Sequence, residues 1–164
     1  MNKTLLCSAA AFLPMALSAA AKDAKPNILI IFTDDQGYAD YGFMGSKTNK
    51  TPVVDKLAES GTVFTDFYAQ HVSGPSRSAL LTGRYPLRTG GHRLLTEEVT
   101  IAEIAKSADY QTACFGKWEV SHRKEVIDQM PNAQGFDYYY GTLGANDKGQ
   151  VVMHENNTKG GTKI

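Results

Sequence analysis

Ile28-Leu29-Ile30-Ile31-Phe32 is an unbroken apolar run with no alternation, and it constrains the fold more than any other stretch. A strand wetted on one face alternates apolar with polar residues. A run like this one predicts a strand buried on both faces of a parallel sheet. Lys25-Pro26-Asn27 leads into it, and Thr33-Asp34-Asp35-Gln36-Gly37 ends it. Two adjacent carboxylates therefore fall at the carboxyl end of the strand, the edge at which open α/β sheets bind ligands. Carboxylates so placed repel unless a cation joins them, and hard cations such as Ca²⁺ and Mg²⁺ take oxygen ligands. A solvated Asp-Asp turn is the plainer alternative.

A second stretch carries a nucleophile-type residue into a helix start. In Ser73-Gly74-Pro75-Ser76-Arg77, Pro75 is tolerated because the N–H it lacks is not needed in a first turn. Ser73 is thereby placed just before the helix, where free N–H groups and the positive dipole end favour an anion. Arg77 lies one turn along the same face, and its planar fork suits a tetrahedral oxyanion. An N-cap serine beside a surface arginine is the bland reading of these two residues.

Elsewhere the pattern is that of an ordinary α/β domain. Thr51-Pro52 opens a helix with Val53, Val54, Leu57 and Ala58 as its apolar stripe and Gly61 as its stop. Val63, Phe64, Phe67 and Tyr68 suggest a strand leading to the Ser73 site; His71 is read as structural or exposed. Thr100-Ile101-Ala102-Glu103 is a capping box, with Val99 and Ile104 as a hydrophobic staple. Ile101, Ile104, Ala105 and Ala108 keep helical spacing and form its core face. A strand from Tyr110 to Phe115 follows. Tyr138 to Tyr140 reads as a packed strand end or loop, and Gly141 to Ile164 yields no element.

The 164-residue chain has equal numbers of acidic and basic residues, which argues against a nucleic-acid partner. Lys3, the apolar stretch Leu5 to Leu17 and the small residues Ser18 to Ala21 read as a signal peptide over residues 1–21. The run is too short for a membrane span and contains Pro14, so no stable membrane anchor is expected. Residues 22–164 then form one exported domain, periplasmic or secreted, large enough for a core. Of the two cysteines only Cys114 survives cleavage, so no internal disulfide is expected.

Ser73-x-Pro75-Ser76-Arg77-x-x-x-Leu81-Thr82-Gly83 resembles the signature of the sulfatase family in its serine-type form. Asp34-Asp35 after the apolar run, and Asp109-Tyr110-Gln111-Thr112-Ala113-Cys114-Phe115-Gly116-Lys117-Trp118, are similar to two further family segments. So is Pro131 to Asp137, with the tyrosines after it. The resemblance implies a doubly wound α/β sheet of the alkaline phosphatase-like type, of which this chain is the amino-terminal part. It implies that Ser73 is oxidised to formylglycine by a maturation enzyme, and that its hydrated aldehyde attacks the sulfur of a sulfate ester. By the same resemblance, Asp34, Asp35 and modified Ser73 hold Ca²⁺, with Mg²⁺ as the alternative, while Arg77 and Lys117 bind the sulfate oxygens. The substrate class is a sulfated small molecule or sulfated glycan. The family's remaining metal ligands lie further downstream and have no counterpart assigned here.

Two positions depart from the family pattern: Asp109 stands where glycine is usual, and Glu119 where the family has histidine. Glu119 adds negative charge beside the reacting sulfate. Hydrolysis of phosphate or phosphonate esters on the related fold, and an inactive exported anion- or glycan-binding remnant, are the alternatives.

Overall fold

The computed structural model describes residues 25–91, 93–121, 127–144, 151–156 and 162–163. The expected signal peptide, His92 and His122 lie outside them. Contacts along the chain separate residues 1–33 from residues 34–164. In the first part, residues 25–33 run without ladder hydrogen bonds, and Ile28 to Phe32 are exposed. The expected buried strand is therefore not formed. An extended run becomes a strand only when its N–H and C=O groups meet a ladder partner, and none of the described ladders includes it.

Among the described residues, the second part holds three α-helices and a mixed sheet. Helix α1 (Pro52–Ser60) starts at Thr51 with proline in its first position and ends at Gly61, as the sequence indicates. Thr51 makes no capping hydrogen bond; its hydroxyl donates to Asp55 Oδ1 at 2.8 Å and accepts from Gly42 N–H. The stripe expected to be core is not: Val53 and Leu57 are 81% and 65% exposed. Residues 63–68 form no strand, and their large apolar side chains are likewise exposed.

Helix α2 (Ser73–Thr82) begins one residue earlier than expected, with Val72 rather than Ser73 at the cap. Gly83 closes it in the left-handed conformation, its N–H bonded to Ala79 O. Helix α3 (Ile101–Ser107) shows both halves of the expected capping box: Thr100 Oγ1 accepts from Glu103 N–H and Glu103 Oε2 accepts from Thr100 N–H. Thr100 is fully buried, and its hydroxyl donates to Gln134 O at 2.7 Å. Thr100→Ala should therefore cost about 1–2 kcal/mol, a cap plus an orphaned buried carbonyl. Urea unfolding measures this, and Thr100→Ser should recover most of it. Ile101 packs against the core as expected and Ala102 is fully buried, whereas Ile104 stays 59% exposed, so the face meeting the core is rotated from the expected one. Asp109 takes φ 59° just past the helix, the left-handed position at which glycine is common.

The sheet has the order β1 (Ala113–Lys117), β2 (Tyr138–Thr142), β3 (Val152–Glu155), β4 (Thr162–Lys163). β1 and β2 are parallel; the other pairs are antiparallel. Gly116 lies opposite Gly141, and a Cβ on Gly141 would collide with the Gly116 backbone. Trp118, Val120, Met130, Tyr139, Leu81, Leu94 and Leu143 make the core. It joins α2 to the sheet and seats the end of β1 beside the start of α2.

Candidate active site

Four of the five residues singled out in the sequence meet in one place. Ser73 stands in the first turn of α2, and Arg77, one turn on, donates from Nε to Ser73 Oγ at 2.9 Å. Nη1 of the same guanidinium donates to the Lys117 carbonyl at 2.7 Å, fastening the helix to the end of β1. Nη2 lies 3.5 Å from Asp34 Oδ2. Lys117 Nζ donates to that same oxygen at 2.9 Å and pairs with Glu119 Oε2 at 2.7 Å. Asp35 is exposed, at φ 51°, and makes none of these contacts.

Local structure explains the placement. Ser76 Oγ donates to Val72 O and accepts from Gln70 N–H, both at 3.0 Å. It ties the entering segment against the first turn, a role the sequence did not reveal. Arg77 and Lys117 side chains are only 13% and 15% exposed, against 44% for Asp34. The cluster is an electrostatic balance of two cations and two carboxylates. Hydrogen bonding from Lys117 holds the Asp34 carboxyl below the usual carboxylate range; burial opposes this, and the charges of Lys117 and Arg77 add to the lowering. Burial pulls the Lys117 ammonium down, but Glu119 and Asp34 outweigh it and raise it overall.

The sign of the Asp34 effect sets a pH dependence. A carboxyl depressed in the folded state contributes stability above its unfolded value, about 3.9, and loses it as pH falls through the folded value. Asp34 is nearly half exposed, so solvent and salt reduce the contribution. Asp34→Asn should flatten the acid limb of the stability–pH curve below about pH 4 and leave neutral stability less changed. Unfolding followed from pH 7 to pH 2 measures it.

His71, two residues before Ser73, is exposed. Cys114, the described cysteine, is half-buried on β1, where burial pushes its thiol up to about 11; it is an inert thiol at neutral pH. No helix among the described residues is long and apolar enough to cross a membrane.

A sequence model of the sulfatases covers residues 26–160, and the chain belongs to the sulfatase family. It is 38% identical to rat (Rattus norvegicus) arylsulfatase G over 148 residues, covering 84% of this chain and 28% of that protein. To human arylsulfatase A it is 40% identical over 147 residues, covering 82% and 29%. Among solved structures, Ps i-CgsB in complex with k-i-k-neocarrahexaose superposes with a TM-score of 0.69 at 34% identity, covering 80% of this chain and 36% of that one. The chain thus spans less than a third of the length of these curated relatives. Its mixed α/β structure is that of the amino-terminal part of an alkaline phosphatase-like sulfatase.

Proposed function

We propose that this chain carries the nucleophile end of a sulfuric-ester hydrolase, with Ser73 as the residue converted to formylglycine. The observation that carries the reading is the Arg77 fork, which joins Ser73 Oγ to the Lys117 carbonyl. It sets a cationic side chain against the nucleophile position, where a transferring sulfate group builds negative charge. As formylglycine, the residue would supply a hydrated aldehyde as nucleophile toward sulfur. Arg77 orients the group at position 73 and offers N–H donors to an oxyanion; Lys117, which shares Asp34 Oδ2 with it, adds an ammonium. The first turn of α2 contributes backbone N–H groups and the positive dipole end.

Asp34, Asp35 and Ser73 offer oxygen donors only, the chemistry that suits Ca²⁺ or Mg²⁺. The donor set fits in kind but is short in number. Ca²⁺ takes about six to eight oxygens, and no group of three or more His, Cys, Asp or Glu gathers among the described residues. Asp34 and Asp35 are the residues that would hold such a cation, which when bound polarises the sulfate oxygens. Lys117 and Arg77 at Asp34 Oδ2 occupy part of the negative charge that a cation would take.

Sulfated glycans are the substrate class favoured by the oligosaccharide complex of the structural relative; a sulfated small molecule is the alternative. The export reading and the involvement of a maturation enzyme accompany this proposal. Coexpressed with an active serine-type maturation enzyme, the protein should yield a Ser73 peptide lighter by two hydrogens in mass spectrometry. Serine unmodified throughout would reject the assignment. Matched sulfate and phosphate esters then separate the sulfatase reading from the phosphate-ester one.

A further inference from the structure

Glu119 has no role in the chemistry above, yet its setting is highly constrained. Its side chain is 12% exposed and its backbone sits at φ 50°, a conformation that residues with a Cβ adopt at a cost. The structure enforces it. Trp118 N–H donates to Thr142 O and Glu119 N–H to Leu143 O, while Trp118 and Val120 on either side are buried. The Glu119 carboxylate oxygen Oε2 is itself buried.

It is aimed at Lys117, with Oε2 2.7 Å from Nζ. An ammonium has three N–H donors on a flexible four-carbon stem. Among the described residues, Nζ donates to Asp34 Oδ2 and forms an ion pair with Glu119 Oε2. Two carboxylates anchored in different segments remove most of the stem's freedom. The geometry points to Glu119 as a positioning residue, which fixes the Lys117 ammonium so that the N–H donors not taken by the carboxylates face an incoming tetrahedral oxyanion. This rests on the reading of Lys117 as a sulfate-contacting group.

The test is the side-chain ammonium signal of Lys117 in ¹H–¹⁵N spectra tuned to lysines, assigned by its loss in Lys117→Met. A held ammonium exchanges slowly and gives a sharp signal; a free one does not. The signal should be sharp in the unaltered protein, weaker but retained in Glu119→Gln, which loses the charge and keeps an oxygen beside the ammonium, and lost in Glu119→Ala. A signal as sharp in Glu119→Ala as in the unaltered protein overturns the proposal. Should that variant fail to fold, Glu119→Asp, one methylene short, must broaden the signal, and an unchanged signal there overturns it equally. Failure of the underlying reading looks different: added inorganic sulfate leaves the Lys117 signal unmoved in every form, while the Glu119 variants still alter it.

Discussion

Arg77→Ala is expected to lower the unfolding free energy by about 3 kcal/mol and any sulfatase turnover by about 10²–10³-fold. The two effects have one source. The guanidinium is 13% exposed and bonds Ser73 Oγ and the Lys117 carbonyl. Hydrogen bonds with a charged partner contribute about 1.5–3 kcal/mol each. Alanine would leave the carbonyl at the end of β1 without this donor and Asp34 without one of its cations. Arg77→Lys separates the parts: it keeps the charge, but an ammonium cannot present a planar fork to several partners. Its stability should fall between the two, with turnover closer to alanine's. Urea midpoints measure the first quantity. Aryl-sulfate hydrolysis, with conversion of Ser73 verified by mass, measures the second. An unchanged midpoint in Arg77→Ala would show that the fork does not hold α2 to the sheet.

The larger stability effect belongs to Trp118→Ala, at about 3–5 kcal/mol for the lost packing alone. Trp118 is 2% exposed, stands edge-on to Phe136 with ring centroids 6.0 Å apart, and donates from Nε1 to Gln129 O at 2.8 Å. A domain of this size is stabilised by only about 5–15 kcal/mol in total, so the variant should be close to unfolding at 37 °C. Trp118→Phe keeps most of the apolar volume and loses the donor, and should cost about 1–3 kcal/mol. Far-UV circular dichroism on heating ranks the three forms. Equal melting of Trp118→Ala and the unaltered protein would mean that the β1 end is not part of the cooperative core.

What could be read in the sequence was mostly local. Ser73 and Arg77 meet because they are one helical turn apart, Gly83 stops α2, and the Thr100–Glu103 box starts α3 as written. The Asp34–Lys117 contact joins residues 83 positions apart; only family resemblance placed those two in one site. The misread elements share a cause. Whether Ile28–Phe32 becomes a strand, or Val53 and Leu57 a core stripe, depends on what lies opposite, and no pattern within the segment encodes that. β3 was missed for the converse reason. Val152–Glu155 is too short to declare itself and exists through pairing with β2, Tyr140 opposite Glu155. Glu119 departs from the family pattern, but its pairing with Lys117 arises only in the folded chain. A carboxylate two residues along an extended strand would share the lysine's face without this turn. Here it reaches back through a left-handed step that favours glycine or asparagine.

The position of Trp118 has a practical consequence. It is the single tryptophan of the chain and sits between Lys117 and Glu119, with its indole in the core and its backbone joining the two members of the ion pair. Its fluorescence is therefore an unlabelled gauge of the site. Emission excited at the red edge of the spectrum reports one indole in one environment, on the residue next to Lys117. Quenching by added cations or sulfate, followed at that wavelength, would reveal binding events too weak or too silent for catalysis to register.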